Sequence, residues 1–212
     1  MRVKEIIMSF FSSRRSSVHG LNGGVATSQP IASQVGIDVL KAGGNAVDAA
    51  VTMASTLGVV EPMSTGIGGD IFALIWDPKT EKISSFNGSG TSSRNSNPNE
   101  LLDKGFSSIP TEGKGGAYSV SVPGSVDGWE QILKKFGTIS LSESLQPGIK
   151  LAEEGYPVSE LISWAWAENE SKLKFRESGS ELLNKNNKAP VEGEVIRLPE
   201  LASSMYKISK EG

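Results

Sequence analysis

Residues 46–57 place apolar side chains on nearly every side of a helix: Val47, Ala49, Ala50, Val51, Met53, Ala54 and Leu57. A helix of that kind is stable when it is covered all round. Covering it takes structure above and below, so the chain is expected to build a layered domain around this helix. Local signals set its start. Asn45 is a good N-cap, and Asp48 three residues on is the partner of a capping box. The Val59–Pro62 stretch is expected to leave the helix.

The flanking segments follow from turn chemistry and periodicity. Val25–Ser28 reads as a short strand. Pro30 suits a first helical turn, Ile31, Val35 and Val39 repeat along one helix face, and Gly43-Gly44 stops that helix. Ile71–Trp76 and Lys82–Phe86 flank the turn Asp77–Thr80 and read as a hairpin, ended by Asn87-Gly88-Ser89-Gly90. Residues 91–115 read as a long polar loop and Ala117–Val122 as a strand. Ser125 is expected to cap a helix whose one side carries Val126, Trp129, Ile132, Leu133 and Phe136. Ser140 and Glu143 form a second capping box, Pro147 is expected to kink or restart that helix, and Gly155 ends it. Leu161, Trp164, Ala165 and Glu168 mark another helix. Residues 177–195 read as polar and mobile. Pro199 opens a last helix with Leu201, Met205 and Ile208 on a face that no later segment covers.

Composition removes several kinds of chemistry. The net charge is -3, which gives nucleic acid no basic surface. There is no cysteine and a single histidine, His19, in the irregular lead-in. That excludes cysteine nucleophiles and histidine-rich metal sites, and a solvated loop residue is the reading of His19. No metal or cofactor is expected. No apolar run approaches the ~20 residues of a membrane span. At the N-terminus the apolar core Ile6–Phe11 is short, contains Ser9, and is followed by Arg14 and Arg15 instead of a cleavage site, so a cytoplasmic protein is expected, with secretion or a periplasmic location as the alternative.

The glycine run Gly66-Ile67-Gly68-Gly69 follows a helix and opens a strand. A phosphate loop has the opposite order, so that the helix N-terminus meets the phosphate. The run reads instead as a turn packed under the sheet, or as one wall of a site. Asn87-Gly88-Ser89-Gly90 has two readings, a plain turn or a backbone approached closely by a ligand. Trp129, Trp164 and Trp166 read as core.

Taken together and in order, several motifs resemble the opening of γ-glutamyltransferases. They are Ser28-Gln29-Pro30-Ile31-Ala32, Gly43–Ala50, Gly58–Pro62, Gly66–Gly69, Val122-Pro123-Gly124, Phe136-Gly137, Leu151–Ser159 and Leu201-Ala202. The resemblance covers roughly residues 25–212 with spacing intact. It implies an α+β chain of the N-terminal nucleophile hydrolase type, an αββα four-layer sandwich, present here as its N-terminal part after an irregular lead-in over residues 1–24. It also implies a precursor that cuts itself before a threonine. That threonine, expected downstream of Gly212 on a small subunit that is this chain's partner, would attack a γ-glutamyl or related amide such as glutathione. Its own α-amine, with a pKa near ~7.7–8.0, would serve as base. No catalytic residue is then expected within these residues. A non-catalytic scaffold, or a small-ligand-binding domain that keeps the fold, is the alternative.

The resemblance further implies substrate binding at Asn87, Ser89 and Arg94. Glutamate-specific members carry an arginine that grips the substrate's α-carboxylate, and Ser89 stands at that position here. A serine cannot supply the bidentate charged contact. Arg94 is the nearby cation, in a different motif position.

Overall fold

The structure, a computed structural model, describes residues 17–110, 113–175 and 177–212. The N-terminal segment with Ile6–Phe11, Arg14 and Arg15 lies outside them. Helix α1 (Pro30–Lys41) is capped by buried Gln29, whose Oε1 accepts the Ile31 amide at 3.0 Å. Val25–Ser28 belongs to no strand, because no described strand lies alongside to pair with it.

Helix α2 (Ala46–Val60) starts at the expected capping box and runs past Leu57 to Val60. It is buried over Asp48, Val51, Thr52, Ser55, Thr56, Val59 and Val60, but Ala46 and Ala50 are exposed. The expectation of burial on every side is therefore corrected: one stripe of the helix faces open space. Its buried hydroxyls turn back onto helix carbonyls, Thr52 onto Asp48 at 2.7 Å and Thr56 onto Thr52 at 2.8 Å. That satisfies them internally and lets a neighbouring helix approach closely.

Strands β1 (Ile71–Asp77) and β2 (Lys82–Gly88) form the expected antiparallel hairpin. After it come α3 (Pro98–Asp103), a short helix capped by Asn97 inside the expected loop, and a 3-10 turn over Gly113–Ser119. The turn and the irregular residues after it replace the strand expected over Ala117–Val122. The alternation there is real, but no described strand lies alongside to pair with it. Helix α4 (Ser125–Phe136) has Gly124 at its N-cap, and Ser125 is its first turn instead of its cap. Helix α5 (Leu141–Glu154) continues across Pro147 and ends at Gly155, whose φ is +96°. The remaining elements are β3 (Tyr156–Pro157), α6 (Glu160–Glu168), α7 (Glu170–Lys174), a 3-10 turn over Glu177–Leu182, β4 (Val195–Ile196) paired to β3, and α8 (Pro199–Glu211).

The core sits where α2, α4, α5 and α8 meet. Met205 of α8 is fully buried, and α8 packs back on α5, so the apolar stripe expected to be bare is covered from within the chain. Gly148 marks the junction: a Cβ there would lie 2.9 Å from Met205 Cε, 3.5 Å from Ser55 O and 3.6 Å from Val59 Cγ2. Residues 177–195 are in part docked, since Leu183 and Ala189 are buried and the Trp166 indole donates to Leu182 O at 2.7 Å. Trp129 and Trp166 are core as expected, whereas Trp164 is 66% exposed.

The hairpin has two unlike faces. Ile71, Ala73, Ile75 and Phe86 pack toward α4 and the core. The other face carries Phe72, Leu74, Trp76 and Ile83, each between 56% and 79% exposed. Among the described residues β1 pairs only with β2, so its second edge keeps unpaired backbone groups. An open cleft of about 1130 Å³ lies between β1, the Ala46–Ala50 stripe of α2 and the Ile132–Phe136 end of α4.

Candidate substrate-binding loop

The loop after β2 lies at a close crossing of backbone segments. Three segments cross there: 66–70, 88–91 and 122–125. Gly69 O accepts the amides of Gly124 at 3.1 Å and Ser125 at 3.0 Å, and Thr91 O accepts the amide of Val122 at 2.8 Å. Ser125 Oγ donates to Ile67 O at 2.9 Å. Such an approach leaves no room for side chains. A Cβ on Gly124 would lie 2.2 Å from Gly88 O, and one on Gly90, whose φ is +70°, would lie 1.8 Å from Val122 O. The Gly66–Gly69 run is thus a turn packed against the start of α4, with its backbone bonded to Gly124 and Ser125.

Asn87 and Ser89 stand together on this crossing. The Asn87 side chain accepts the Ser89 amide at 3.0 Å, an Asx turn that fixes where the Ser89 hydroxyl starts from. Asn87 is exposed and Ser89 half-buried. Arg94 is not brought to them by any contact: it is exposed, five residues farther on, and makes no ion pair among the described residues. Neither Asn87 nor Ser89 lines the cleft beside α2.

Asp70 carries no motif signal in the sequence. The last register pair of the hairpin is Ile71 with Gly88, and Asp70 and Ser89 are the next residue on either side of it. The Asp70 carboxylate accepts from Ser121 Oγ at 3.4 Å and has no ion pair among the described residues. The register beside Asp70 was legible, because a hairpin centred on Asp77–Thr80 fixes the pairing all the way to its open end. His19 is exposed, and the described residues hold no grouping of three His, Cys, Asp or Glu side chains placed to bind a metal.

Comparison with known proteins adds the following. A family model described as gamma-glutamyltranspeptidase matches residues 32–212. The glutathione hydrolase proenzyme of Bacillus subtilis (strain 168) is 36% identical over 194 residues, which is 91% of this chain and 33% of that protein. The crystal structure of Helicobacter pylori gamma-glutamyltranspeptidase superposes with a TM-score of 0.84 at 32% identity, over 92% of this chain and 56% of that one. Cephalosporin acylase from Bacillus halodurans superposes with a TM-score of 0.83 at 38% identity, over 93% of this chain and 37% of that one. The chain spans about a third of the length of the Bacillus subtilis relative.

Proposed function

The chain belongs to the γ-glutamyltranspeptidase family over residues 32–212, and from that premise we propose that it is the N-terminal portion of the large subunit of a self-cleaving amide hydrolase or acyltransferase. The observation that carries the reading is the match along nearly the whole chain, with helices and hairpin in the same arrangement as in solved members. Residues 25–212 are then one part of a single larger domain, and residues 1–24 its lead-in. We place the protein in the cytoplasm on the sequence around Ile6–Phe11. No helix among the described residues is long and apolar enough to cross a membrane.

The nucleophile belongs to the partner subunit, and a threonine there supplies it. Its hydroxyl attacks the amide carbonyl of a small-molecule substrate while its own α-amine takes the proton. The amine product leaves, and water or an acceptor amine then takes the acyl group from the threonine ester. The bare outer face of the hairpin and the unpaired edge of β1 support such a partner: a second sheet on the first, and a strand on the second, would cover both.

The large subunit's part is to hold the acyl group. Asn87 and Ser89 offer a carboxamide and a hydroxyl, both neutral. Glutathione hydrolysis is one outcome of that chemistry and acylase activity another, and the loop favours the second. The test compares kcat/KM for a γ-glutamyl anilide with that for the 4-aminobutyryl anilide, which lacks the α-carboxylate. Wild type should prefer the latter. Ser89→Arg should shift the ratio toward the γ-glutamyl compound by roughly ten- to a hundred-and-fifty-fold, the value of a charge-assisted hydrogen bond. A wild type that already prefers the carboxylate strongly, with a ratio that Ser89→Arg leaves alone, would move the grip elsewhere, Arg94 being the next candidate.

A further inference from the structure

We infer that Asp70 sets the charge of the acyl group this protein accepts, turning away groups that end in a carboxylate and favouring those that end in an ammonium. The inference rests on the placement of Ser89 in the acyl site. In an antiparallel hairpin, residues directly across from each other share a face, and their Cβ atoms lie about 4.5–5.5 Å apart. Ile71 pairs with Gly88 at the open end of the hairpin, and Asp70 and Ser89 are the next residue on either side of that pair. Asp70 is exposed, as Phe72 and Asn87 are.

The carboxylate is free to act there. Asp70 is exposed, and one of its oxygens accepts from Ser121 Oγ at 3.4 Å. The other has no hydrogen-bond partner among the described residues, nor does any cation there pair with the group. The hairpin's lysines, Lys79 and Lys82, lie at its other end, where Lys82 pairs in register with Asp77. Arg94 makes no contact with it. An acyl group reaching Ser89 meets one uncompensated negative charge and two neutral polar side chains. A carboxylate at its far end is repelled by that charge and finds no fork of donors to offset it, whereas an ammonium is attracted.

The experiment uses the full-length matured protein and two anilides of equal chain length, 4-aminobutyryl-p-nitroanilide and glutaryl-p-nitroanilide. Wild type should show the higher kcat/KM with the aminobutyryl compound. Asp70→Asn should lower that preference roughly two- to fivefold, the span measured for partly exposed charge pairs. Asp70→Glu should keep it. A preference unmoved by Asp70→Asn but shifted by Ser89→Arg overturns the inference and leaves the acyl site where it is placed. A preference that neither variant moves overturns both placements. A matured protein that cleaves neither compound nor the γ-glutamyl anilide overturns the functional reading and this inference with it.

Discussion

Asp48 lies fully buried one turn into α2 and collects four donors: Asn45 N at 2.8 Å, Thr138 N at 2.7 Å, Thr138 Oγ1 at 2.5 Å and Ile139 N at 3.3 Å. Burial alone would push its carboxyl up. The hydrogen bonds from Thr138, Asn45 and Ile139 outweigh that and hold it below the ordinary carboxylate range. A carboxyl with a depressed folded-state pKa contributes stability that is present above its unfolded value, about 3.9. That contribution is lost as pH falls through the lower folded value. Asp48→Asn places an amide N–H₂ against donors, and should cost about 1.5–3 kcal/mol at neutral pH, read as a lower urea midpoint of the full-length protein. The variant should also lose stability less steeply than wild type below about pH 4. The capping half of this arrangement was legible, since Asn45 and Asp48 are three residues apart in sequence. The reach to Thr138 and Ile139 was not, because it spans 90 residues and no local pattern encodes it. Ser89 shows the same limit: motif order placed it, whereas the backbone crossing that fixes its loop depends on the docking of 66–70 and 122–125.

At the scale of elements, the hairpin sits on α4 through a glycine. A Cβ on Gly128 would lie 2.3 Å from Ile71 Cγ2 and 3.0 Å from Phe86 Cε1, both on the hairpin's inner face. Gly128→Ala should lift the hairpin from the helix and cost about 1–3 kcal/mol, seen as a lower melting temperature. It should also reduce kcat/KM on the preferred anilide, since β2 carries Asn87 and leads into Ser89. A midpoint equal to that of wild type would mean that the contact is slacker than drawn. Elements with local start signals were readable: both capping boxes, Pro30 and Pro199 at first helical turns, and the hairpin around Asp77–Thr80. Those that failed lacked a partner or had an internal competitor. Ala117–Val122 alternates like a strand but has no described strand beside it, and α3 hid its Asn97 cap inside a polar stretch. Helix α2 reads as apolar all round, yet Ser and Thr cover part of its buried side while Ala46 and Ala50 stay open.

For the whole molecule, the described residues hold a helical core with a hairpin packed on it. The only histidine is exposed in the lead-in, and no described hydroxyl has a histidine as base. The 212-residue chain expressed alone should therefore release no p-nitroaniline from a γ-glutamyl or aminobutyryl anilide; turnover that persists through purification to homogeneity would overturn the assignment of the nucleophile to a partner subunit. The junction at Gly148, where α2, α5 and α8 meet, has a bearing on how the protein is made. Synthesis is vectorial, at roughly 5–20 residues per second, so Met205 emerges about 7–30 s after Val60. Through that interval Val59 and the Gly148 side of α5 are on the ribosome without the side chain that seals them. The nascent chain thus carries an open apolar seam until α8 appears, and a pause or nick ahead of residue 199 would leave a polypeptide fit for chaperone capture instead of folding.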